Sequence, residues 1–434
     1  MTQERPVWSS KLTFILAAVG SAVGLGNIWR FPYIMGQNGG AVFLVVYLFL
    51  ISTICFVPMM AELALGKHTK KECVKVYEDA SPKLKLLGYL NPFTGVLVSS
   101  FYFIVGGWIV NYIVKSLADY KITDYAAYFS SFVKDEKSVI IYTFAFLFIC
   151  IFLTARGIKR GIEFANNVLM PLFAVLLIGL LIFSLSLPNA HLGLEYMFKP
   201  DFSKLNGHML LSALGQALFT LSIGMGALLT YGSYIKEDKS ITKSAYTIIF
   251  SDTLFALLAG IMIFPAIFSF GLEVDSGAGL VFVTLPYIFS QIPHGNIFAF
   301  AFFVLLFAAA LTSGISILEV SFATITERFN ISRTKAAIIL FFVVGSISVP
   351  AVLSFDKLSN YTIFSKTFFD FLDFVTANIF MPLNALILCL IAGWCYKIKG
   401  DTIIKNAVLA KLFDIGLKFI IPVVLVVVLY MGLK

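Results

Sequence analysis

The sequence predicts an all-α integral membrane protein of about eleven spanning helices, arranged as two inverted halves with helices one and six broken in mid-membrane. Three observations carry this reading. The 434 residues are 59% hydrophobic and 13% charged, with a mean hydropathy of +0.92, too little polar surface for a water-soluble chain of this length. The basic residues concentrate in alternate short loops. Glycine-rich interruptions recur at equivalent points five spans apart, an odd number, so the halves that contain them run in opposite directions.

The segments follow from apolar length, about 20 residues per span. Segment one, roughly 12–36, contains Gly20-Ser-Ala-Val-Gly-Leu-Gly-Asn-Ile-Trp-Arg-Phe-Pro32, and the break is placed at Gly20–Gly26. It is too long and irregular for a cleavable leader. Segments two and three, roughly 40–66 and 89–117, flank Lys67, Lys70, Lys71, Lys75, Lys83 and Lys85. Segments four and five, roughly 138–155 and 164–187, flank Arg156, Lys159 and Arg160. Segment six, roughly 209–234, is interrupted at Ser222-Ile-Gly-Met-Gly226 and followed by Lys236, Lys239 and Lys243. Segments seven and eight, roughly 243–270 and 296–327, enclose an outward loop whose Gly271, Gly277, Gly279 and Pro286 predict a short helix over the membrane face. Segments nine to eleven lie at roughly 334–353, 367–396 and 407–431, the last with an ambiguous start around Asp414 and Lys418. Arg328, Arg333 and Lys335 precede segment nine, and Lys397, Lys399 and Lys405 precede segment eleven.

All these basic loops fall on one side, which the positive-inside rule makes cytoplasmic, with the N-terminus inside. The opposite loops are mixed or acidic, as at Glu273 and Asp275. Residues 1–434 therefore read as one transmembrane domain: a first repeat of about 11–187, a second of about 209–396, and an extra helix of about 407–431. The net charge of +8 is explained by this topology and not by nucleic acid, since no aromatic-basic face accompanies it. Cys55, Cys73, Cys150, Cys389 and Cys395 show neither metal-ligand spacing nor a disulfide pair in an outward loop.

Depth places the chemistry. At about 1.5 Å per residue, Ser21 lies roughly 15 Å beyond Lys11, near the middle of a ~30 Å apolar core. Asp252 lies about 14 Å beyond Lys243. Thr220, Ser222, Thr312 and Ser313 reach the same level. Singly, such glycines serve helix packing and such hydroxyls bond back to their own helix. An ionisable Asp252 at mid-depth is different, because it costs several kcal/mol unless paired. Half-helix N-termini suit a carboxylate, and unwound carbonyls suit a small hard cation such as sodium. A zwitterionic solute travelling with sodium meets both demands.

These residues carry a resemblance. Gly20-x-Ala-Val-Gly-Leu-Gly-Asn-x-x-Arg-Phe-Pro32 with Asn38-Gly-Gly40, Gln216-x-x-Phe-Thr-Leu-Ser-x-Gly-x-Gly226 with Thr230-Tyr-x-Ser-Tyr234, and Ala309-x-Leu-Thr-Ser313 resemble spans one, six and eight of the neurotransmitter:sodium symporter family. The resemblance implies a LeuT-type 5+5 inverted repeat and sodium-coupled amino-acid uptake by alternating access across a bacterial inner or plasma membrane. It implies two sodium ions and no organic cofactor. One sodium would touch Ala22, Asn27, Thr220 and Asp252, and the second Gly20, Val23, Ala309, Thr312 and Ser313. The amino acid would lie against Ser21, Ala22, Leu25, Gly26, Val98, Tyr102, Phe219, Ser222, Met225, Ser313 and Ile317. An outer gate would pair Arg30 with Asp373 under a roof of Tyr102 and Phe219. An inner gate would use Arg5, Trp8, Ser233, Tyr234 and Glu327. Glu62 and Glu319 would support the unwound sixth helix.

Departures from the family refine the expectation. Amine-carrying relatives place an aspartate where this chain has Gly24, so the solute should bring its own carboxylate. Asp252 and Ala256 stand where chloride-dependent members differ, although Tyr47 and Gln216 of that neighbourhood remain, so transport is expected to be chloride-independent. Val98, Phe219, Met225 and Ile317 favour a large hydrophobic or aromatic side chain, methionine adapting to several shapes. The alternative is a transporter-like sensor that binds an amino acid without moving it. An enzyme is not expected: His68, His191, His208 and His294 all lie outside the spans, and no acid pair or nucleophile–base set appears.

Overall fold

The computed structural model describes residues 5–118, 122–236, 240–274 and 277–433; Lys239 and Asp275 of the loop reading lie outside these. Among the described residues nine helices are long and apolar enough to cross a membrane. The first span adds a tenth as two pieces, α1 (Lys11–Ala22) and α2 (Gly26–Gln37), bent by 47°. Residues 221–226 split the sixth into α10 (Gly207–Thr220) and α11 (Ala227–Ser233); taken together as one span, these make eleven among the described residues. The unbroken spans are α3 (Ala41–Thr69), α5 (Pro82–Leu117), α7 (Glu136–Ala155), α8 (Ile158–Leu185), α12 (Ile241–Ser269), α14 (Gly295–Arg328), α15 (Arg333–Leu353), α16 (Phe368–Cys395) and α17 (Ala407–Gly432). The chain is thus a multi-pass membrane protein, and the predicted segments agree with these helices to within a few residues at most ends. Two begin earlier than charge alone indicated, α5 at Pro82 and α8 at Ile158.

Connections contain short helices. Leu280–Ser290, labelled α13, is the predicted fold-back over segments seven and eight. Three further ones were not anticipated: α4 (Cys73–Ala80), α6 (Tyr125–Lys134) and α9 (Ala190–Phe198). Among the described residues there is no strand beyond an isolated Ile363–Lys366 bridge. Polar caps set several starts, as where Ser10 and Thr13 form a reciprocal capping box at α1. The α4 helix is tied to the end of α14 by Arg328, which donates to Glu78 at 3.0 Å and holds that carboxyl down at about 2. This tie is present above the ordinary carboxylate range and is lost only as pH falls through that low value.

Burial separates centre from rim. In the most apolar stretch of α14 83% of residues are buried, against 28% for α8 and α17, whose outer faces are left to lipid. Glycines let the broken helices sit close to their neighbours. A β-carbon on Gly66 of α3 would stand 2.1 Å from the Leu229 carbonyl oxygen of α11, and one on Gly232 would stand 2.8 Å from the Leu63 carbonyl oxygen. The inner half of the sixth span is therefore clasped backbone-to-backbone by α3. Gly66→Val is expected to destabilise the protein by about 1–3 kcal/mol, the usual range for overpacking. Gly179→Val, in open space, should stay within ~0.5 kcal/mol. Thermal denaturation of the solubilised protein distinguishes the two.

Candidate functional site

The two breaks face each other. In the first span α1 runs through Gly20 to Ala22, and the backbone leaves the helix only at Val23 and Gly24. The expected break at Gly20–Gly26 is therefore narrower, and Gly20 is a helical contact residue rather than a hinge. In the sixth span Ser222, Gly224 and Gly226 adopt positive φ of 54°, 80° and 77°. Glycine takes this conformation without strain; Ser222 does so at a cost.

Polar groups freed along these breaks meet partners, most of them from elsewhere in the bundle. Gly224 donates its amide to Glu62 Oε1 at 2.8 Å, and its carbonyl accepts from Asn384 Nδ2 at 3.0 Å. Asn384 also donates to Thr94 at 3.0 Å. Gly24 donates to Asn27 Oδ1 at 3.0 Å, and Gln216 Nε2 donates to the Gly26 carbonyl at 2.9 Å. Ser222 and Ser313 both donate to the Ser21 carbonyl, at 3.2 and 3.3 Å. Glu62 thus supports the unwound sixth helix as expected. Glu319 acts at the far end of α11, accepting from the Tyr234 hydroxyl at 2.9 Å and pairing with Arg333.

Between the breaks lies a small central cavity of about 20 Å³. All eleven residues expected to meet the solute line it: Ser21, Ala22, Leu25, Gly26, Val98, Tyr102, Phe219, Ser222, Met225, Ser313 and Ile317, joined by Gly24 and Thr220. Among the described residues the buried Tyr102 hydroxyl has no hydrogen-bond partner. A β-carbon on Gly24 would stand 3.4 Å from that hydroxyl and 2.4 Å from Ser313 Oγ. The space beside the α2 start is thus kept free by glycine and faced by an unsatisfied donor.

Two oxygen clusters flank the cavity. On one side Asp252, fully buried, accepts at Oδ1 from Asn27 Nδ2 (2.8 Å) and Thr220 Oγ1 (3.0 Å), and Tyr47 lies 3.5 Å from Oδ2. Among the described residues no Lys, Arg or His pairs with it. A carboxylate held only by neutral donors in an apolar interior requires a positive charge or a proton. Asn27, Thr220 and Asp252 keep lone pairs for a cation, and Ala22 lines the cavity beside them. On the other side Ser313 Oγ lies 3.3 Å from the Gly20 carbonyl, and Thr312 Oγ1 lies 3.0 Å from that of Ala309. Val23 ends α1, so its carbonyl leaves the helical ladder. Neutral oxygens with one carboxylate suit a hard monovalent ion and not a transition metal; among the described residues no His/Cys/Asp/Glu trio converges.

Four of the five residues expected at an inner gate, Arg5, Trp8, Tyr234 and Glu327, come together. Arg5 pairs with Glu327 at 3.0 Å and lies 5.2 Å from the Tyr234 ring centre. Trp8 donates its indole N–H to the Tyr231 carbonyl at 3.0 Å and its amide to the Tyr234 carbonyl at 3.2 Å. Ser233 bonds within its own turn, to Thr230, and makes no link across this closure. The outer gate is not joined as expected. Arg30 and Asp373 line one vestibule of about 360 Å³, but no ion pair within 4 Å connects them. Arg30 instead stacks on Phe219, 4.5 Å from the ring centre, with Gln216 at 3.5 Å. Tyr102 and Phe219, expected as a roof, line both vestibule and cavity, as do Leu25 and Gly26. Asn384, Ser316 (2.8 Å from Ser21 Oγ) and Asn166 were not identified from sequence. Asn384 is the single polar residue of an apolar stretch, and that isolation was its available signal; Asn166 beside Asn167, and Ser316 among Thr312, Ser313 and Glu319, offered none.

Comparison with known proteins agrees with this architecture. The family model for the sodium:neurotransmitter symporter family matches residues 5–123 and 127–434. An uncharacterised sodium-dependent transporter of Bacillus subtilis is 37% identical over 400 residues, covering 90% of this chain and 88% of its own. Another from Haemophilus influenzae is 33% identical over 448 residues, covering 98% of each. The structure of MhsT in complex with L-phenylalanine superposes with a TM-score of 0.90 at 41% identity, over 99% of this chain and all of that one. The broken first and sixth helices thus belong to a LeuT-type inverted repeat, and the chain is a member of the sodium:neurotransmitter symporter family and not an enzyme.

Proposed function

We propose that the protein imports a large hydrophobic or aromatic amino acid together with sodium, by alternating access and without need of chloride. The observation that carries this reading is the convergence of the eleven expected lining residues on one cavity, flanked by the Asp252 and Thr312–Ser313 oxygen clusters. The solute carboxylate would dock beside the start of α2, accept from Tyr102, and complete the shell of a sodium held by Ala22, Asn27, Thr220 and Asp252. The second sodium would sit among Gly20, Val23, Ala309, Thr312 and Ser313. Because the carboxylate is shared, solute and sodium raise each other's affinity by one factor. The apolar lining of Val98, Phe219, Met225 and Ile317, and a neighbour holding phenylalanine at 41% identity, support an aromatic or large aliphatic side chain.

Asp252 supplies fixed negative charge beside the first cation, which removes the need for an anion. The basic loops support a cytoplasmic N-terminus, so the assembled Arg5–Glu327 closure would face the cytoplasm and the vestibule the exterior. The segments 11–187 and 209–396 would be the two repeats whose relative rocking exchanges these states.

Uptake of labelled amino acids into proteoliposomes tests the proposal. Accumulation of phenylalanine, tyrosine or leucine should require an inward sodium gradient and persist when gluconate replaces chloride. Accumulation indifferent to sodium overturns the symport reading, and binding without accumulation turns the protein into a sensor. Asp252→Asn should lower uptake at least about tenfold, since it removes the charge that holds the first cation. Gly24→Asp should weaken amino-acid binding by about 100-fold or more, because it places a carboxylate where the solute's own must lie; unchanged binding in that variant refutes the docking pose.

A further inference from the structure

Asn166 on α8 is fully buried, and among the described residues its Oδ1 has no hydrogen-bond partner. The amide is oriented by its other end, since Nδ2 donates to the Ile162 carbonyl one turn back at 2.9 Å. Exchanging the two atoms would set oxygen against oxygen, so Oδ1 is the atom that faces away from α8. It points at α1: a β-carbon built on Gly20 would stand 2.1 Å from Asn166 Oδ1, 3.2 Å from the Met170 sulfur and 3.2 Å from Thr312 Cβ. This is the junction of α1, α8 and α14. The first and last of these hold all the oxygens assigned above to the second cation, from Gly20, Val23, Ala309, Thr312 and Ser313. A buried amide oxygen left unsatisfied in the membrane interior is costly, and such groups in native proteins have a reason. Gly20 fits the same picture, since any side chain there would strike Oδ1.

We propose that Asn166 contributes its side-chain oxygen to sodium at the second cation position, so that α8 joins α1 and α14 in holding that ion. The proposal rests on the sodium-symport reading above. An amide oxygen is a neutral hard ligand of the kind such an ion prefers, and filling its lone pairs removes the only deficit this residue shows. Sodium at this position would then bridge three helices, including one at the lipid-facing rim.

Equilibrium binding of radiolabelled sodium to the purified full-length protein, with the sodium-dependent rise in melting temperature, tests this. Asn166→Leu is expected to raise the half-saturating sodium concentration about tenfold and to shrink the sodium-dependent rise in melting temperature. Its sodium-free melting temperature should be unchanged or higher, because an unsatisfied oxygen has been removed. Asn166→Asp, which retains an oxygen there, should bind sodium at least as well as the wild type. If Asn166→Leu does not fold, Asn166→Ser replaces it, its hydroxyl too short to reach across. A wild-type protein that binds no sodium overturns the symport reading itself. Wild-type binding with superimposable Asn166→Leu or Asn166→Ser curves overturns the role of Asn166 alone. An equal drop in melting temperature with and without sodium would assign the residue to packing only.

Discussion

Backbone that leaves the helix inside a membrane must find its hydrogen bonds in the protein, because lipid offers none. The two breaks meet this constraint largely through each other. Ser222 of the sixth span donates to Ser21 of the first, and Gln216 of the sixth donates to Gly26 of the first. What they cannot supply mutually comes from fixed neighbours, Glu62 on α3 and Asn384 on α16. The surplus is one-sided: after these bonds are made, carbonyl and hydroxyl oxygens retain lone pairs facing the cavity. A structure that solves its own hydrogen-bonding problem in this way is left with a cluster of acceptors, which is the raw material of a cation site.

The carboxylates within the bundle are sorted by partner. Glu319 is paired with Arg333, and Glu327 with Arg5, each ion pair joining elements on the side closed by Trp8. Glu62 accepts from backbone amide at the sixth-span break. Among the described residues Asp252 has only an amide, a hydroxyl and a more distant phenol. Arginine-paired acids hold helices together whatever else is bound, whereas an acid with neutral neighbours alone makes its surroundings sensitive to a mobile cation. In this molecule fold stability and the proposed sodium binding are therefore one equilibrium viewed from two ends.

How much was legible in the sequence follows from how local each signal is. Spans were readable because hydropathy accumulates over about 20 residues, and the sixth-span break because Gly224 and Gly226 lie where helix should continue. The same logic misread Gly20: a glycine that permits contact with Asn166 and Thr312 looks, in one dimension, like one that permits a bend. The α4, α6 and α9 helices, of 8, 10 and 9 residues, are too short to stand out within polar loops. Asn384 gave no pattern because its partners are more than a hundred residues away, and Asn166 because the Gly20 that its oxygen faces is equally remote in the chain. The lining residues were readable through family motifs, and their convergence on one cavity is a property only the folded chain displays.

The two proposed gates differ in what holds them. The inner closure combines an ion pair with two hydrogen bonds from Trp8 to the end of α11. The outer one rests on Arg30 over Phe219 and a long contact to Gln216, with Asp373 across the vestibule. A cation over a ring is worth ~0.5–1 kcal/mol where exposed, less than a desolvated ion pair with added hydrogen bonds. The outer closure is thus the weaker, and Arg30 and Phe219 belong to α2 and α10, the half-helices on either side of the cavity. A ligand that binds both pieces at once adds to the outer side the stabilisation it lacks, and only a ligand with such differential affinity can shift the balance between the states. An amino acid whose carboxylate meets sodium at the α1–α2 break and whose side chain lies under Phe219 satisfies that requirement, and an ion bound to the first span alone does not.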